Sequence, residues 1–352
     1  MDNIYELISR IGAPDESAAA AARQRWDSLA KPLGCLGEME DAVVRIAALT
    51  GTPEVSVSRR HLLVFCADNG VVAEGVTQCG SEVTAHVAAA LAEGRSTVSP
   101  MARLAKCVVT PVDVGIRNFA GHPGVWERRV KNGTDDIALG PAMTRAECLR
   151  TMAAGADAVL TLAPETDIFA LGEMGIGNTT TACAVIAALL GRDPGELAGR
   201  GAGLSDAGLA RKRKVIRRAL DVNRPDPADP IDVLSKVGGL DLAALCGAFL
   251  AAAACRRPAV ADGVGVSAAA LCAARLCPAA RNAMLASHCS AEPAARLTLE
   301  ALGLHAPLNA SMRLGEGGGA VMLLPLLDMA LAVYHSGQTF DRLGIEAYTP
   351  QS

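Results

Sequence analysis

From His61 onward, short apolar runs alternate with helical patterns, and nearly every run stops on a polar residue or a glycine. Residues 62–67 end in Asp68-Asn69-Gly70, residues 107–112 in Asp113-Val114-Gly115, and residues 167–171 in Gly172-Glu173. Residues 258–261 end in Asp262-Gly263, and residues 282–286 in Ser287-His288-Cys289-Ser290. Residues 156–160 read as one more strand. Continuously apolar strands separated by helices predict a parallel sheet covered on both faces, a doubly wound, Rossmann-like α/β fold. Ligands in such folds sit at the carboxyl ends of strands, where Asp68, Asp113, Glu173, Asp262 and Ser290 fall. Each also has a purely structural explanation as an Asx-turn or helix cap, which we prefer for Asp113.

Three glycine-rich turns interrupt this pattern. Leu171-Gly172-Glu173-Met174-Gly175-Ile176-Gly177-Asn178-Thr179-Thr180-Thr181 lies between a strand and a buried helix at 182–190 that Gly191 closes. Gly175 and Gly177 permit close backbone approach, Asn178 or Thr179 can cap the helix, and the free N–H groups there attract phosphate. The spacing matches neither the Walker loop nor the dinucleotide fingerprint. Glu173 beside an anion cradle is electrostatically awkward, so it is either a solvated loop carboxylate or a functional group. The second turn, Gly199-Arg200-Gly201-Ala202-Gly203-Leu204-Ser205-Asp206, precedes a basic helix at 209–218. Such a helix is usually a solvated face, but its start can carry a lysine to a phosphate or carboxylate. In the third, Ser311-Met312-Arg313-Leu314-Gly315-Glu316-Gly317-Gly318-Gly319-Ala320, Glu316 stands among glycines before an apolar helix. It reads equally as a carboxylate favoured by the helix dipole or as a catalytic group.

The first 58 residues are alanine-rich and helical, with an amphipathic helix at 38–49, and Thr50-Gly51-Thr52-Pro53 marks a boundary. Lys31, before a proline turn, reads as a surface charge. The longest apolar runs, 242–255 and 320–333, fall short of the ~20 residues of a membrane span and read as buried helices. A net charge of -4 with only three Tyr, two Trp and five Phe gives no case for nucleic acid, which leaves a small-molecule partner. The eleven cysteines are scattered singly, without metal-ligand spacing, and read as reduced core residues of a cytoplasmic protein. The amino terminus lacks the basic and apolar regions of a signal peptide.

Several strings converge on one family. Lys31-Pro32-Leu33-Gly34, Ala67-Asp68-Asn69-Gly70-Val71 with Glu74-Gly75-Val76-Thr77, Gly172-Glu173-Met174-Gly175-Ile176-Gly177-Asn178-Thr179-Thr180, Gly238-Gly239, Ser287-His288 with Ser290-Ala291-Glu292, and Arg313-Leu314-Gly315-Glu316-Gly317 closely resemble the nicotinate-nucleotide:dimethylbenzimidazole phosphoribosyltransferases. The resemblance runs from about residue 25 to about residue 340. It implies transfer of phosphoribose from nicotinate mononucleotide to the lower-ligand base of a cobamide, giving an α-riboside 5′-phosphate and nicotinate, with no cofactor beyond the substrates. It also implies a large α/β domain at 60–300, a smaller helical domain built from 1–59 and 301–352, and a homodimer. Some relatives work instead as pairs of homologous subunits.

By the same resemblance Glu316 is the general base, and Glu173 and Lys212 support it near the nucleotide. Gly175, Gly177, Asn178, Thr179, Thr180, Gly201 and Gly203 fall in nucleotide- and phosphate-binding turns, and Asp262 and Ser290 at active-site positions. Departures cluster at the acceptor pocket. Asn69 stands where many members have histidine, and Cys79 and Val87 stand where well-known members place a serine and a glutamine against the acceptor; Leu314 completes that pocket. Phenol-accepting relatives carry a similar Asp-Asn-Gly-Val-Val string, so the expected acceptor is a benzimidazole or a phenol. The alternatives are a purine acceptor or a non-catalytic homologous subunit; the joint presence of Glu316, Glu173 and Lys212 favours an active enzyme.

Overall fold

The computed structural model describes residues 4–349 and forms one six-stranded, all-parallel sheet. Its strands are β1 (Arg60–Ala67), β2 (Cys107–Gly115), β3 (Trp126–Glu127), β4 (Ile168–Met174), β5 (Ala259–Ala261) and β6 (Met284–Ala286). The order β3-β2-β1-β4-β5-β6 reverses direction between β1 and β4, which puts the crevice of a doubly wound sheet at the carboxyl ends of those two strands.

Residues along β1 and β4 alternate between two separate cores. Leu63, Phe65, Phe169 and Leu171 enter one, shared with the helices Arg145–Leu162, Asn178–Leu190, Leu240–Ala254 and Val264–Leu276. Leu62, Val64, Ile168 and Ala170 enter the other, shared with Trp26, Val43, Ile46, Leu324 and Leu327 from the two ends of the chain. Continuous apolarity in β1 and β4 is thus the sequence signature of burial on both faces.

The chain ends are sewn together over that second face. Asp15 caps the helix Glu16–Ser28, its Oδ1 accepting from the amides of Ser17 (2.9 Å) and Ala18 (3.0 Å). Tyr334, at the end of the helix Gly318–Tyr334, packs against Trp26 with ring centroids 4.9 Å apart and ring planes tilted by 57°, and donates its hydroxyl to the Pro53 carbonyl at 2.8 Å. Buried Arg60 donates to the carbonyls of Val57 (2.7 Å) and Ala105 (2.8 Å) and pairs with Asp328 of the C-terminal helix.

Two expectations need correction. Residues 156–160 are not a strand but the last turns of the helix Arg145–Leu162, which a Thr144–Glu147 capping box starts. Five small or apolar residues carry too little periodicity to separate the two states. Packing settles the matter: a Cβ on Gly155 would strike the Ala244 backbone, and one on Gly247 the Met152 backbone, so this helix and Leu240–Ala254 need both glycines to approach as they do. Lys31 is not a free surface charge either. Its ammonium lies 2.8 Å from the Glu40 carboxylate, which also accepts from the Leu36 amide at 3.0 Å, and the pair is mostly buried. Among the described residues no helix is long and apolar enough to cross a membrane, and all eleven cysteines are free thiols.

Candidate active site

The first glycine turn forms where β4 runs into the helix Asn178–Leu190 at the crevice. Gly177 caps that helix with φ 95°, a conformation that favours glycine. A Cβ on Gly175 would meet the Ala67 carbonyl at the end of β1, so the turn rests directly on the neighbouring strand end. Thr84 accepts from the Ile176 amide at 3.2 Å, and Asn69 donates to the Ile176 carbonyl at 3.4 Å. Contrary to the capping expectation, neither Asn178 nor Thr179 caps the helix. The Asn178 amide donates to the Glu173 carboxyl, and the Thr179 hydroxyl accepts from Lys212 Nζ at 2.8 Å.

Lys212, on the helix Asp206–Asn223, is fully buried. Burial pulls its ammonium below the ordinary lysine range, and the nearby Glu292 charge opposes that pull. The second glycine turn closes over it: a Cβ on Gly201 would stand 3.1 Å from Thr179 Oγ1 and 3.9 Å from Lys212 Nζ. Glu292 Oε1 accepts from the Gly201 amide at 2.9 Å. A threonine hydroxyl, a buried ammonium and the Glu292 carboxylate thus meet at the second glycine turn.

Glu316 sits in the third turn with φ 56°, left-handed for a non-glycine residue and therefore strained unless its surroundings hold it. They do. Its own amide donates to the Glu173 carbonyl at 3.1 Å, and the amides of Gly317 (3.2 Å), Gly319 (2.7 Å) and Ala320 (3.3 Å) all donate to Asp262. A Cβ on Gly172 would lie 2.5 Å from the Gly317 nitrogen, so β4 must be bare at that point. Glu316 is 9% exposed, and its Oε2 accepts from the Val98 amide at 3.1 Å.

Glu173, Glu316, Gly175, Asn178, Thr179, Gly201, Ser290 and Leu314 all line one cleft of about 160 Å³, with Lys212 directly behind Thr179. The remaining residues singled out by the sequence lie elsewhere. Asp262 lies beneath the Glu316 turn and gives both oxygens to its amides. Thr180 is buried within its helix, its hydroxyl unpartnered. Gly177 and Gly203 shape their turns without lining the cleft, and Gln78 donates to the Ala202 carbonyl at 3.0 Å. Cys79 is exposed in that same loop, and Val87 is half-buried on the helix Glu82–Ala92 against the second core; neither lines this cleft.

Burial pushes the Glu173 carboxyl well above the usual range; the charges of Asp241 and Asp262 push the same way, against the Asn178 hydrogen bond. The shift favours the protonated form of Glu173, which eases the clash between an acidic residue and an anion cradle. Sequence reasoning passed over Glu292, His288, Arg313 and Asp241. The first three line the cleft, His288 with its Nδ1 3.0 Å from Ser287 Oγ and Arg313 exposed at the mouth. Their signal was present, since all four stand within or beside strings the family resemblance rests on. Among the described residues no group of three or more His, Cys, Asp or Glu is arranged to hold a metal ion.

Comparison with known proteins identifies the family. A family model described as phosphoribosyltransferase matches residues 11–345. The chain is 44% identical to the nicotinate-nucleotide–dimethylbenzimidazole phosphoribosyltransferase of Desulforudis audaxviator, over 98% of each chain. It is 42% identical to that of Ruminiclostridium cellulolyticum, again over 98% of each. Its fold superposes on the crystal structure of CobT from Thermus thermophilus with a TM-score of 0.89 at 40% identity, covering 94% of this chain and 100% of that one.

Proposed function

The chain belongs to the nicotinate-nucleotide–dimethylbenzimidazole phosphoribosyltransferase family, a family of pentosyl-transferring enzymes, and from that premise we propose the reaction its own cleft carries out. The donor is nicotinate mononucleotide and the acceptor a cobamide lower-ligand base, a benzimidazole or a phenol. The products are an α-riboside 5′-phosphate and nicotinate. One observation carries this reading: a carboxylate held in a strained turn, Glu316, shares a cleft with two glycine turns, the second of which closes over a buried lysine.

In this scheme the phosphate lies against the 175–179 and 201–203 turns, with Lys212 supplying charge through the gap beside Thr179. The ribose carbon then faces Glu316. Nicotinate leaves from a cationic pyridinium and needs no strong acid, so the demanding step is removal of the acceptor's N–H or O–H proton. Glu316 takes that proton, and such a base contributes roughly 10²- to 10⁴-fold. Attack opposite the leaving group converts the β-riboside into the α-riboside, and the phosphate grip fixes the carbon for that displacement. Glu173 and Asn178, joined by a hydrogen bond, organise the donor side. Asp262 acts through the Glu316 turn, and Ser290 sits on the cleft wall beside it. The chemistry uses no cofactor. The free thiols fit a cytoplasmic enzyme, and the family resemblance fits a homodimer.

The test is to incubate the protein alone with nicotinate mononucleotide and, in turn, dimethylbenzimidazole, p-cresol and adenine, and to identify products by mass. We expect nicotinate release with formation of the dimethylbenzimidazole or cresol ribotide. A ribotide formed only with adenine replaces the acceptor assignment, and no nicotinate release with any acceptor removes the enzymatic reading.

A further inference from the structure

One buried titratable group has no part in that scheme. Asp241 is the second residue of the helix Leu240–Ala254 and is fully buried. Its Oδ1 accepts from the Leu242 amide at 2.9 Å, while Oδ2 has no hydrogen-bond partner. It lies directly under the first glycine turn. Oδ2 is 3.0 Å from where a Cβ on Gly175 would stand, and Asn69 Nδ2 is 3.1 Å from the same point. The side chains of Asp241 and Asn69 also meet together over Gly239. Two side chains thus lie side by side between two glycines, and one of them, Asn69, reaches the Ile176 carbonyl of the turn.

We infer that Asp241 is a positioning residue: with Asn69 it forms the floor on which the 175–178 turn and the Asn178–Glu173 hydrogen bond are set. The inference rests on the reading of that turn as the nucleotide site. The groups facing Asp241 are Asp68 and Cys66 at the end of β1, Glu173 on β4, and the Asn178 amide; among the described residues no cation pairs with it. Burial accordingly raises its carboxyl to about 7, with Asp68 adding to the shift. A neutral acid can donate a hydrogen bond from Oδ2, where a carboxylate can only accept. The folded group keeps its proton to about pH 7 while the unfolded one loses it near 3.8, so stability falls as pH rises through that window and levels off above it.

The test compares wild type, Asp241→Asn and Asp241→Ala. Asp241→Asn, a neutral isostere, should keep KM for nicotinate mononucleotide and kcat within about threefold, and should flatten the fall of Tm between about pH 4 and pH 7. Asp241→Ala should raise KM about tenfold or more with a smaller effect on kcat, as expected for a loss of ~1.4 kcal/mol in donor positioning. It should also speed hydrogen exchange in the 175–180 peptide, and Asp241→Asn should not. Identical pH profiles of Tm in wild type and Asp241→Asn overturn the inference, as does Asp241→Ala with wild-type KM and exchange. If Asp241→Ala does not fold, Asp241→Asn still decides it through KM and the pH profile. If wild type turns over no nucleotide, the functional reading fails separately, and the exchange and Tm measurements still decide the role of Asp241.

Discussion

The backbone amide of Glu316 donates to the backbone carbonyl of Glu173 at 3.1 Å. The two acidic residues of the cleft are therefore registered by main chain, and either side chain can be changed without moving the other. Their environments differ as well, since burial raises the Glu173 carboxyl while Glu316 accepts from the Val98 amide. Glu316→Gln should lower kcat about 10²- to 10⁴-fold and leave KM for nicotinate mononucleotide near wild type. Glu173→Gln keeps an acceptor for the Asn178 amide and removes a carboxyl whose protonated form burial favours, so it should cost about tenfold or less. Steady-state kinetics on both variants checks this, and the reverse ranking would exchange the two roles.

Asp262 acts on Glu316 from below. Replacing it with alanine strips the acceptor from three amides at the start of the helix Gly318–Tyr334. A lost cap costs up to ~2 kcal/mol, and the left-handed Glu316 conformation loses its anchor. Asp262→Ala should lower Tm by a few degrees and kcat by about tenfold or more, with Asp262→Asn in between. Calorimetric melting and kinetics on the same preparations check the pairing; a lowered Tm with wild-type kcat contradicts the anchoring role.

Lys212 is buried beneath Thr179, and among the described residues it forms no ion pair, the nearby Glu292 charge only partly offsetting its burial. A buried, unpaired ammonium costs stability and is kept for what it binds. Lys212→Met should leave Tm unchanged or raise it, and weaken binding of nicotinate mononucleotide about tenfold or more, measured by titration calorimetry. Lys212→Arg should not rescue, because a longer, branched side chain at a fully buried position overpacks it. Equal affinity in Lys212→Met and wild type would remove the phosphate role.

The sheet was legible because β1 and β4 are apolar on both faces, and the glycine strings located the cleft because only glycine fits where Gly172 and Gly175 meet neighbouring backbone. Other features are tertiary and left little local trace. Nothing in the run at 156–160 reveals the glycine-to-backbone contacts that keep it helical. The Lys31–Glu40 pair needs a fold in the loop between them. Asp262 reads as a strand-end ligand by position, and only the arrival of residues 316–320, more than fifty positions later, turns its carboxylate into a cap. Asp241 stands beside the Gly238-Gly239 string, but its role is tertiary too: its neighbours, Asn69 and Gly175, come from two other strand ends.

Gly172 offers the sharpest separation of geometry from stability. A methyl group there would stand 2.5 Å from the Gly317 nitrogen and 2.7 Å from the Glu316 carbonyl carbon, both main-chain atoms that cannot swing aside. Gly172→Ala must therefore lift the Glu316 turn from β4 and stretch the 3.1 Å bond to Glu173. Overpacking of this kind costs about 1–3 kcal/mol. The larger effect falls on rate, because a displacement of ~1 Å at a positioned group can cost about 10²-fold. Gly191→Ala is the matched control: its φ of 62° makes alanine strained there, but nothing lies within 4 Å of the new Cβ, and the site is at the far end of the helix Asn178–Leu190. Both variants should melt earlier than wild type, but only Gly172→Ala should lose kcat, by about tenfold to a hundredfold. Parallel losses of kcat in the two would mean that activity follows global stability, and the placement of Glu316 by β4 would no longer explain the need for glycine at position 172.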